Sequence, residues 1–300
     1  MADHIPVLTN QVLKFLDPQP GNVIVDCTLG AGGHSQMILE KLAGKGNLYG
    51  IEVDERNLLL AQEKLKTHKN VHFIRDNFEN LETLGRRILQ KEGRIDGILF
   101  DLGLSSMHVD EGTRGFSFQS EGPLDMRFDT RQTVTAADII NTYSLEDLLS
   151  IFRIYGEERN SYKIATRIVE HRKRKRFTTT SQLANFIADS IATRKGFYFK
   201  RHPATRIFQA LRIATNREVS VVHAGLEGAI KVLSRGGKIV VISYHSLEDR
   251  IVKNIFKRCK QEEVLKILTK KPLEPDEKEM EENRRSRSAK LRAAKKIISK

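Results

Sequence analysis

The stretch "VIVDCTLGAGGHSQMILEKLAG", residues 23–44, decides the fold, because an apolar run, a glycine-rich turn and an amphipathic stretch follow one another directly. The opening "VIVDC" is a β-branched run that predicts a buried strand, and the closing residues have helical spacing. Between them, Gly30, Gly32 and Gly33 permit positive φ angles and close approach of a ligand to the backbone. The helix start adds N–H groups, so the turn predicts a ligand crevice at the edge of an α/β sheet.

The same alternation of strand and helix continues along the chain. Apolar runs at 48–54, 71–76 and 95–101 alternate with helical stretches at 55–68 and 79–93. Such a series indicates right-handed βαβ units and a parallel sheet.

The pattern then breaks for about a hundred residues, and only helical stretches follow, at 144–155, 161–172 and 180–192. It resumes with two predicted helices within 203–237, a strand at 238–244, a helix at 247–259, an edge strand at 264–269 and a last strand in the basic tail after 286. We therefore predict an α/β sheet domain formed by residues 1–108 and 203–300, interrupted by a mostly helical domain at 109–202.

The charge of the chain narrows the class of partner. Lys and Arg number 51 against 38 Asp and Glu, which gives a net charge of +13 and favours a polyanion such as nucleic acid. Cys27 and Cys259 lack metal-ligand spacing, so we expect no metal site and a reducing, cytoplasmic location. The sequence has no long apolar run and no apolar signal core, so we expect no membrane partner.

Acidic residues at predicted strand ends identify the ligand class. Glu52 ends the second strand, where an acid accepts hydrogen bonds from ribose hydroxyls, although Asp54 next to it is an alternative that would also suit a helix start. Asp26 and Asp101 end the first and fourth strands. An acidic crevice suits the amino group and sulfonium of S-adenosylmethionine better than a pyrophosphate, and Ser35 replaces the last glycine of a dinucleotide fingerprint.

Eight motifs, in order along nearly the whole chain, resemble one family: the bacterial S-adenosylmethionine-dependent methyltransferases that modify the N4 amine of a cytidine in 16S ribosomal RNA. They are "HIPVL" (4–8), "DCTLGAGGHS" (26–35), "DGILFDLGLSS" (96–106), "RGFSFQSEGPLDMRFD" (114–129), "YGEER" (155–159), "HPATRIFQALRIATNRE" (202–218), "GGKIVVISYHSLEDRIVK" (236–253) and "RSRSAKLR" (285–292).

The resemblance implies a Rossmann-like class I methyltransferase sheet with an inserted helical domain that recognises RNA. It also implies a target near the decoding centre, reached within an assembled small subunit, and it leaves the oligomeric state open. The implied cofactor contacts are Gly32, Gly33, His34, Glu52, Phe78, Asp101 and His108. Three positions depart from the usual pattern: Glu52 stands for Asp, His108 for Gln and Tyr244 for Phe.

Methylation of an exocyclic amine needs hydrogen-bond acceptors that orient the nitrogen, and it needs no cysteine nucleophile. We expect these acceptors among Asp101, Ser105 in the following loop, and Asp125. A target base leaves its stack and is held by aromatic faces and edge contacts.

We therefore expect RNA contacts from the insertion. The candidates are Arg114, Phe116, Phe118 and Arg127, together with Arg174 and Arg176 in the run "HRKRKR" (171–176), and "RKGFYFKRH" (194–202) supplies a second basic run.

Other functions fit these residues less well. A DNA amino-methyltransferase would usually have an acid or Asn followed by Pro-Pro-aromatic after the fourth strand, and "DLGLSS" does not match. A non-enzymatic RNA-binding protein on this fold would not need the glycine turn together with Glu52 and Asp101. A nicotinamide oxidoreductase ranks third, and "SYHSLED" lacks the G-x-S-x-G turn of a serine hydrolase.

Overall fold

The computed structural model describes residues 6–104, 112–191 and 202–298. It forms two compact units, one made of Met1–Gly103 with Val219–Lys300 and the other of Leu104–Glu218. No helix in the described ranges combines the length and apolar character that crossing a bilayer requires.

The first unit is built around a seven-stranded sheet. Its strands are β1 (Val23–Asp26), β2 (Asn47–Ile51), β3 (Val71–Ile74), β4 (Gly97–Asp101), β5 (Lys238–Ser243), β6 (Leu265–Ile267) and β7 (Lys290–Lys296). Its helices are α1 (Thr9–Leu16), α2 (Gly33–Leu42), α3 (Glu55–Leu65), α4 (Leu81–Glu92), α10 (Glu218–Val232), α11 (Ser246–Gln261) and α12 (Glu277–Glu282), where α10 begins one residue before the unit does.

The strand order is β3-β2-β1-β4-β5-β7-β6, with β1 to β5 parallel and β7 antiparallel to both its neighbours. The chain turns back between β1 and β4, and a crevice at the carboxyl ends of these strands is where doubly wound sheets bind ligands. The predicted α/β fold class is confirmed, and the two strands expected near the C-terminus are β6 and β7.

The alternation of side chains along each strand separates two apolar layers. Val25, Phe100 and Val241 face one side, where α4, α10 and α11 pack. Ile24 and Leu99 face the other side, where α1, α2 and α3 pack. Because both faces are covered, the central strands read as nearly continuous apolar runs.

The second unit is helical and has its own core. Its helices are α5 (Ala136–Thr142), α6 (Leu145–Ile154), α7 (Ser161–Arg172), α8 (Thr180–Ile191) and α9 (Ala204–Thr215), and its described residues contain no β-strand, only an isolated bridge between Pro123 and Thr179.

The boundaries of this unit, after Gly103 and after Glu218, differ from the predicted limits of 109 and 202. The second limit differs because α9 buries Ile207, Phe208 and Leu211 in the core of the helical unit.

Two glycines of α10 allow this helix to approach the start of α4 closely. A Cβ on Gly225 would lie 2.6 Å from Cδ2 of Phe78, and a Cβ on Gly228 would lie 2.7 Å from the backbone nitrogen of Glu82. Since a backbone atom cannot turn away as a side chain can, Gly228 fixes the spacing of the two helices.

We expect Gly228→Ala to lower the free energy of unfolding by about 1–3 kcal/mol, because the methyl group meets backbone in a packed contact and this outweighs the helix propensity of alanine. Urea denaturation followed by circular dichroism measures the change. The matched control on the same helix is His223→Ala, whose imidazole is largely exposed and whose loss should change stability by less than about 0.5 kcal/mol. Equal stability of the two variants would contradict the prediction.

Candidate active site

The glycine turn connects the end of β1 to the start of α2. Gly30 and Gly32 have φ angles of +53° and +83°, so this path of the backbone is strained for any other residue. The first N–H groups of α2 have no intrahelical acceptor and point out of the helix start. The turn therefore presents backbone donors at the carboxyl edge of the sheet.

The segment before α1 lies against this turn. A Cβ on Gly33 would approach Cγ of Pro6 to 2.7 Å, so only glycine fits there without displacing the segment. The N–H of Leu8 donates to Oε1 of Glu279 at 2.6 Å, which joins the segment to α12. Residues 6–8 of the "HIPVL" motif thus pack beside the predicted cofactor site.

Glu52 follows β2, and its carboxylate is held by two backbone donors. The N–H of Gly30 donates to Oε2 and the N–H of Asp54 donates to Oε1, both at 2.8 Å. Burial outweighs these hydrogen bonds and raises the pKa of Glu52 to about 7. Asp54 has a different role, since its side chain accepts from the N–H of Arg56 and caps α3. Glu52 is therefore the acid that faces the glycine turn.

Asp26 ends β1 and lies beneath the turn, with 1% of its surface exposed. It accepts a hydrogen bond from Oγ of Ser35 at 2.7 Å and one from the N–H of Thr28 at 3.1 Å. Burial raises its pKa in spite of these donors. Asp26 ties the end of β1 to the first turn of α2 and adds negative character under the site.

Asp101 ends β4 at the same edge and is partly exposed, with 22% of its side-chain surface accessible. Its N–H donates to Oγ1 of Thr28 at 2.6 Å, which fixes the end of the strand. The hydroxyl of Tyr244 donates to Oδ1 at 2.8 Å, and Nδ1 of His34 lies 3.4 Å from Oδ2. Each carboxylate oxygen therefore has a separate partner.

Burial and neighbouring groups act on the pKa of Asp101 in opposite directions. Burial raises it, while the nearby His34 and the hydrogen bond from Tyr244 oppose that shift. Nε2 of His34 lies 2.9 Å from the carbonyl oxygen of Val7, an acceptor only, so Nε2 carries a proton. Nδ1 of His34 and Oδ2 of Asp101 attract each other when a proton lies between them, bound to one atom or the other.

Phe78 follows β3 and contributes an aromatic surface to the same unit. Its ring meets that of Phe100 edge-on, with the centroids 5.5 Å apart, and Gly225 leaves room for it. The residue is partly exposed at the margin of the core. Phe78 therefore has both a packing role and an accessible part, as a ring that covers an adenine would need.

In the helical unit, the segment at 114–129 is held together by its own arginines. Arg127 donates to both oxygens of Asp125 at 2.7 Å, and these hydrogen bonds lower the pKa of Asp125 although burial opposes them. Arg114 is 7% exposed and donates to the carbonyls of Arg127 and Phe128. Both guanidinium groups thus stabilise the loop, and roles for Arg114, Asp125 and Arg127 toward RNA remain predictions.

The two phenylalanines of this segment are partly buried against the helical core. Phe116 stacks on Phe128 with the ring centroids 5.3 Å apart, and Phe118 meets His202 and Phe208 at 4.7 and 4.9 Å. Their packing accounts for their presence, and a contact with the target base remains a prediction.

The basic run at 171–176 divides into structural and exposed residues. Arg172 donates to the carbonyls of Ile140 and Tyr143 and so closes the end of α5. Arg174 and Arg176 are exposed, and their guanidinium groups form no hydrogen bond or ion pair with another residue that the structure describes. Contact of either arginine with phosphate remains a prediction.

Some predicted residues lie outside the described ranges, namely Ser105, His108 and the basic run at 194–201. Conversely, three residues of the site were not predicted to act in it: Thr28, Ser35 and Tyr244. The hydroxyl of each is a donor or an acceptor for a strand-end acid or its backbone. Thr28 and Ser35 carry a signal in sequence, since they are hydroxyl residues within the glycine motif. Tyr244 is distant in sequence, and its signal was limited to its departure from the usual Phe of the family.

The residues present fit S-adenosylmethionine. Burial raises the pKa values of the three acids at the strand ends, Asp26, Glu52 and Asp101. A cationic ligand beside them would stabilise their charged forms and lower these pKa values. A Cβ placed on Gly30 would meet only the carbonyl of Thr28, at 3.9 Å, so the turn is open where a ligand would approach.

Comparison with known proteins agrees with this geometry. A model of the MraW methylase family matches residues 1–297. The chain is 44% identical to ribosomal RNA small subunit methyltransferase H of Caldicellulosiruptor bescii over 99% of this chain and 100% of that protein. It is 45% identical to the protein of the same name from Dehalococcoides mccartyi over 98% of this chain and 87% of that one, and 41% identical to that of Halothermothrix orenii over all of both. The resemblance inferred from the motifs is thereby confirmed, and the chain belongs to the MraW methylase family.

Proposed function

We propose that this protein transfers a methyl group from S-adenosylmethionine to the N4 amine of a cytidine in small-subunit ribosomal RNA. The observation that carries the proposal is Asp101, a partly exposed carboxylate at the edge of the glycine turn, with a separate partner for each oxygen. Relatives that are 41–45% identical over nearly the whole chain are named as small-subunit ribosomal RNA methyltransferases, which supports the substrate class.

Residues of the first unit account for cofactor binding. The N–H groups at the start of α2, near Gly33 and His34, suit the methionine carboxylate, and Glu52 suits the ribose hydroxyls. The exposed part of Phe78 suits the adenine. When bound, S-adenosylmethionine supplies an electrophilic methyl group and a neutral thioether leaving group.

Asp101 supplies a hydrogen-bond acceptor that makes the target amine a better nucleophile. The N4 lone pair of cytosine is delocalised into the ring, so the amine is a weak nucleophile. A carboxylate that accepts hydrogen bonds from the amine favours a more tetrahedral nitrogen and holds it in line for transfer. With S-adenosylmethionine bound, the new N–C bond would form as the C–S bond breaks, and Oδ2 of Asp101, which lies beside His34, would accept the proton that the methylated nitrogen releases. No cysteine is required, and Cys27 and Cys259 are both buried.

The ribosomal substrate is proposed to be an assembled small subunit in the cytoplasm. The net charge of +13 and the exposed Arg174 and Arg176 support contact with an RNA backbone.

Small subunits that lack the modification, incubated with the protein and methyl-labelled S-adenosylmethionine, should yield N4-methylcytidine on nucleoside mass spectrometry, and free 16S RNA should yield less. Asp101→Asn should lower the rate by about a hundredfold or more, because an amide oxygen is a weaker acceptor and its NH₂ group repels the amine. The matched control is Asp96→Asn at the opposite end of β4, where the carboxylate accepts from the N–H of Val23 at 2.9 Å.

Label on another atom or another nucleoside, or none with either RNA, would contradict the proposed function. Full activity of Asp101→Asn would contradict only the role given to Asp101.

Cofactor affinity should depend on pH through Glu52. Its pKa is raised from an ordinary 4.5 to about 7, so the carboxylate is charged above that pH and neutral below it. A neutral carboxyl group accepts hydrogen bonds from ribose less well, so affinity falls as the pH falls through 7. Since about one tenth of the groups remain ionised one pH unit below the pKa, we expect binding at pH 6 to be about tenfold weaker than at pH 8.

Isothermal titration with S-adenosylmethionine at the two pH values measures this dependence. Glu52→Gln should bind weakly at both, with a much smaller difference between them. Equal affinity of the unaltered protein at both pH values would show that Glu52 does not titrate in this range.

Removal of the two exposed arginines should weaken substrate binding. We expect the double variant Arg174→Ala with Arg176→Ala to bind small subunits several-fold more weakly. A plot of log affinity against log salt concentration should become less steep, by about 2, because two phosphate contacts are lost. The control pair Arg153→Ala with Lys163→Ala removes the same charge from exposed positions on α6 and α7. A double variant that binds like the control pair would remove Arg174 and Arg176 from the interface.

A further inference from the structure

Tyr244 immediately follows β5, beside the end of β4, and its side chain reaches the acid that the proposed mechanism uses. Its hydroxyl donates to Oδ1 of Asp101 at 2.8 Å. The other oxygen, Oδ2, lies 3.4 Å from Nδ1 of His34. The Asp101 carboxylate is thus held from two sides, by one group from the end of β5 and one from α2.

The position of the Tyr244 ring is fixed by packing and by a backbone hydrogen bond. The ring is partly buried against the apolar layer of α1 and α2. It lies so close to the chain after β4 that a Cβ on Gly103, where φ is +105°, would be 2.9 Å from Cδ2 of the ring. The N–H of Tyr244 donates to Oε2 of Glu248 at 2.8 Å, in the first turn of α11. A ring held in this way keeps its hydroxyl next to Oδ1 of Asp101.

The hydroxyl of Tyr244 acts as a donor in this contact. Burial, together with the negative charge of Asp101, raises the pKa of Tyr244 well above its usual range. The phenol therefore stays protonated through the physiological range, so it neither serves as a base nor repels the carboxylate. A donor of this kind favours the ionised form of its partner.

We propose that Tyr244 is a positioning residue for methyl transfer, whose hydroxyl fixes the rotamer of Asp101 and so holds its carboxylate in place to accept hydrogen bonds from the target amine. The inference rests on the proposed function, since it assigns a task to the acid used there. A carboxylate has about four acceptor sites. The contacts with Tyr244 and His34 use two of them and leave others for the substrate.

The charge state of Asp101 depends on groups from four elements. His34 on α2 and Tyr244 after β5 favour the carboxylate, whereas Asp26 at the end of β1 and Glu248 on α11 oppose it. Loss of the Tyr244 hydroxyl removes one of the two favourable partners and leaves both opposing charges in place. The pKa of Asp101 should therefore rise further.

The test is Tyr244→Phe, which removes one oxygen and retains the ring. Because Phe, the usual residue at this position in the family, keeps the ring in place, kcat with small subunits and S-adenosylmethionine should fall about three- to tenfold, the effect of one lost hydrogen bond. KM for S-adenosylmethionine should stay within about twofold, because no cofactor contact is lost. The acidic limb of the kcat–pH profile should move to higher pH.

Tyr49→Phe is the matched control. Tyr49 also donates to a carboxylate of the first unit, Oε1 of Glu92 at 2.5 Å, but at the end of α4 and away from the glycine turn. It should leave kcat and the pH profile unchanged, and thermal denaturation of both variants measures any loss of stability. If Tyr244→Phe changes stability alone, with kcat and the acidic limb as in the unaltered protein, the ring has only a packing role and the inference is wrong. If the unaltered protein itself fails to methylate either RNA substrate, the proposed function fails instead.

Discussion

The crowding of three carboxylates at one edge of a parallel sheet is the constraint on which the rest of the site depends. Asp26, Glu52 and Asp101 follow from strand register, because parallel strands carry their last residues to the same edge. Burial raises the pKa of each. Each is nevertheless surrounded by donors, which reduce the free energy required to keep a charge in a low-dielectric place. Negative charge at this edge raises the free energy of the protein when no cation is near, and it would attract the positively charged sulfonium of S-adenosylmethionine.

The donors that stabilise these carboxylates also shape the cofactor site. The N–H of Gly30 donates to Glu52 and the N–H of Thr28 donates to Asp26, while Oγ1 of Thr28 accepts from the backbone N–H of Asp101 and fixes the end of β4. The glycine turn therefore has two roles: it forms a surface for the ligand, and its backbone N–H groups donate hydrogen bonds to the acids around it. A change in the backbone of the turn would alter the charge state of the acids as well as the fit of the ligand. This coupling gives the positive-φ path of the turn, which glycine permits, a role beyond connecting the strand to the helix.

Periodicity in the sequence was enough to predict the sheet and the order of its elements, since these depend on local apolar patterns. Contacts between residues distant in sequence were not predictable in the same way. Tyr244 meets Asp101 across 143 positions, and nothing in the local pattern indicates that its hydroxyl finds that partner. The limit of the helical unit was also misplaced, because the amphipathic pattern of α9 indicates that one face is buried but not in which core. A local pattern predicts that one face of a helix is buried, and tertiary packing determines which core that face joins.

The same distinction applies to the basic residues. A net charge of +13 indicates a polyanionic partner, but it does not identify which cations remain available to it. Arg114 and Arg127 donate to carbonyl and carboxylate oxygens of the segment at 114–129, and Arg172 donates to a carbonyl oxygen at the end of α5. A long loop without regular structure has many such acceptors, so it draws on arginines that composition alone would assign to RNA. The exposed residues at 173–176 are not used in this way. The cations that this unit could offer to a phosphate group are therefore those that its own loops do not use, and a contact with RNA remains a proposal for them.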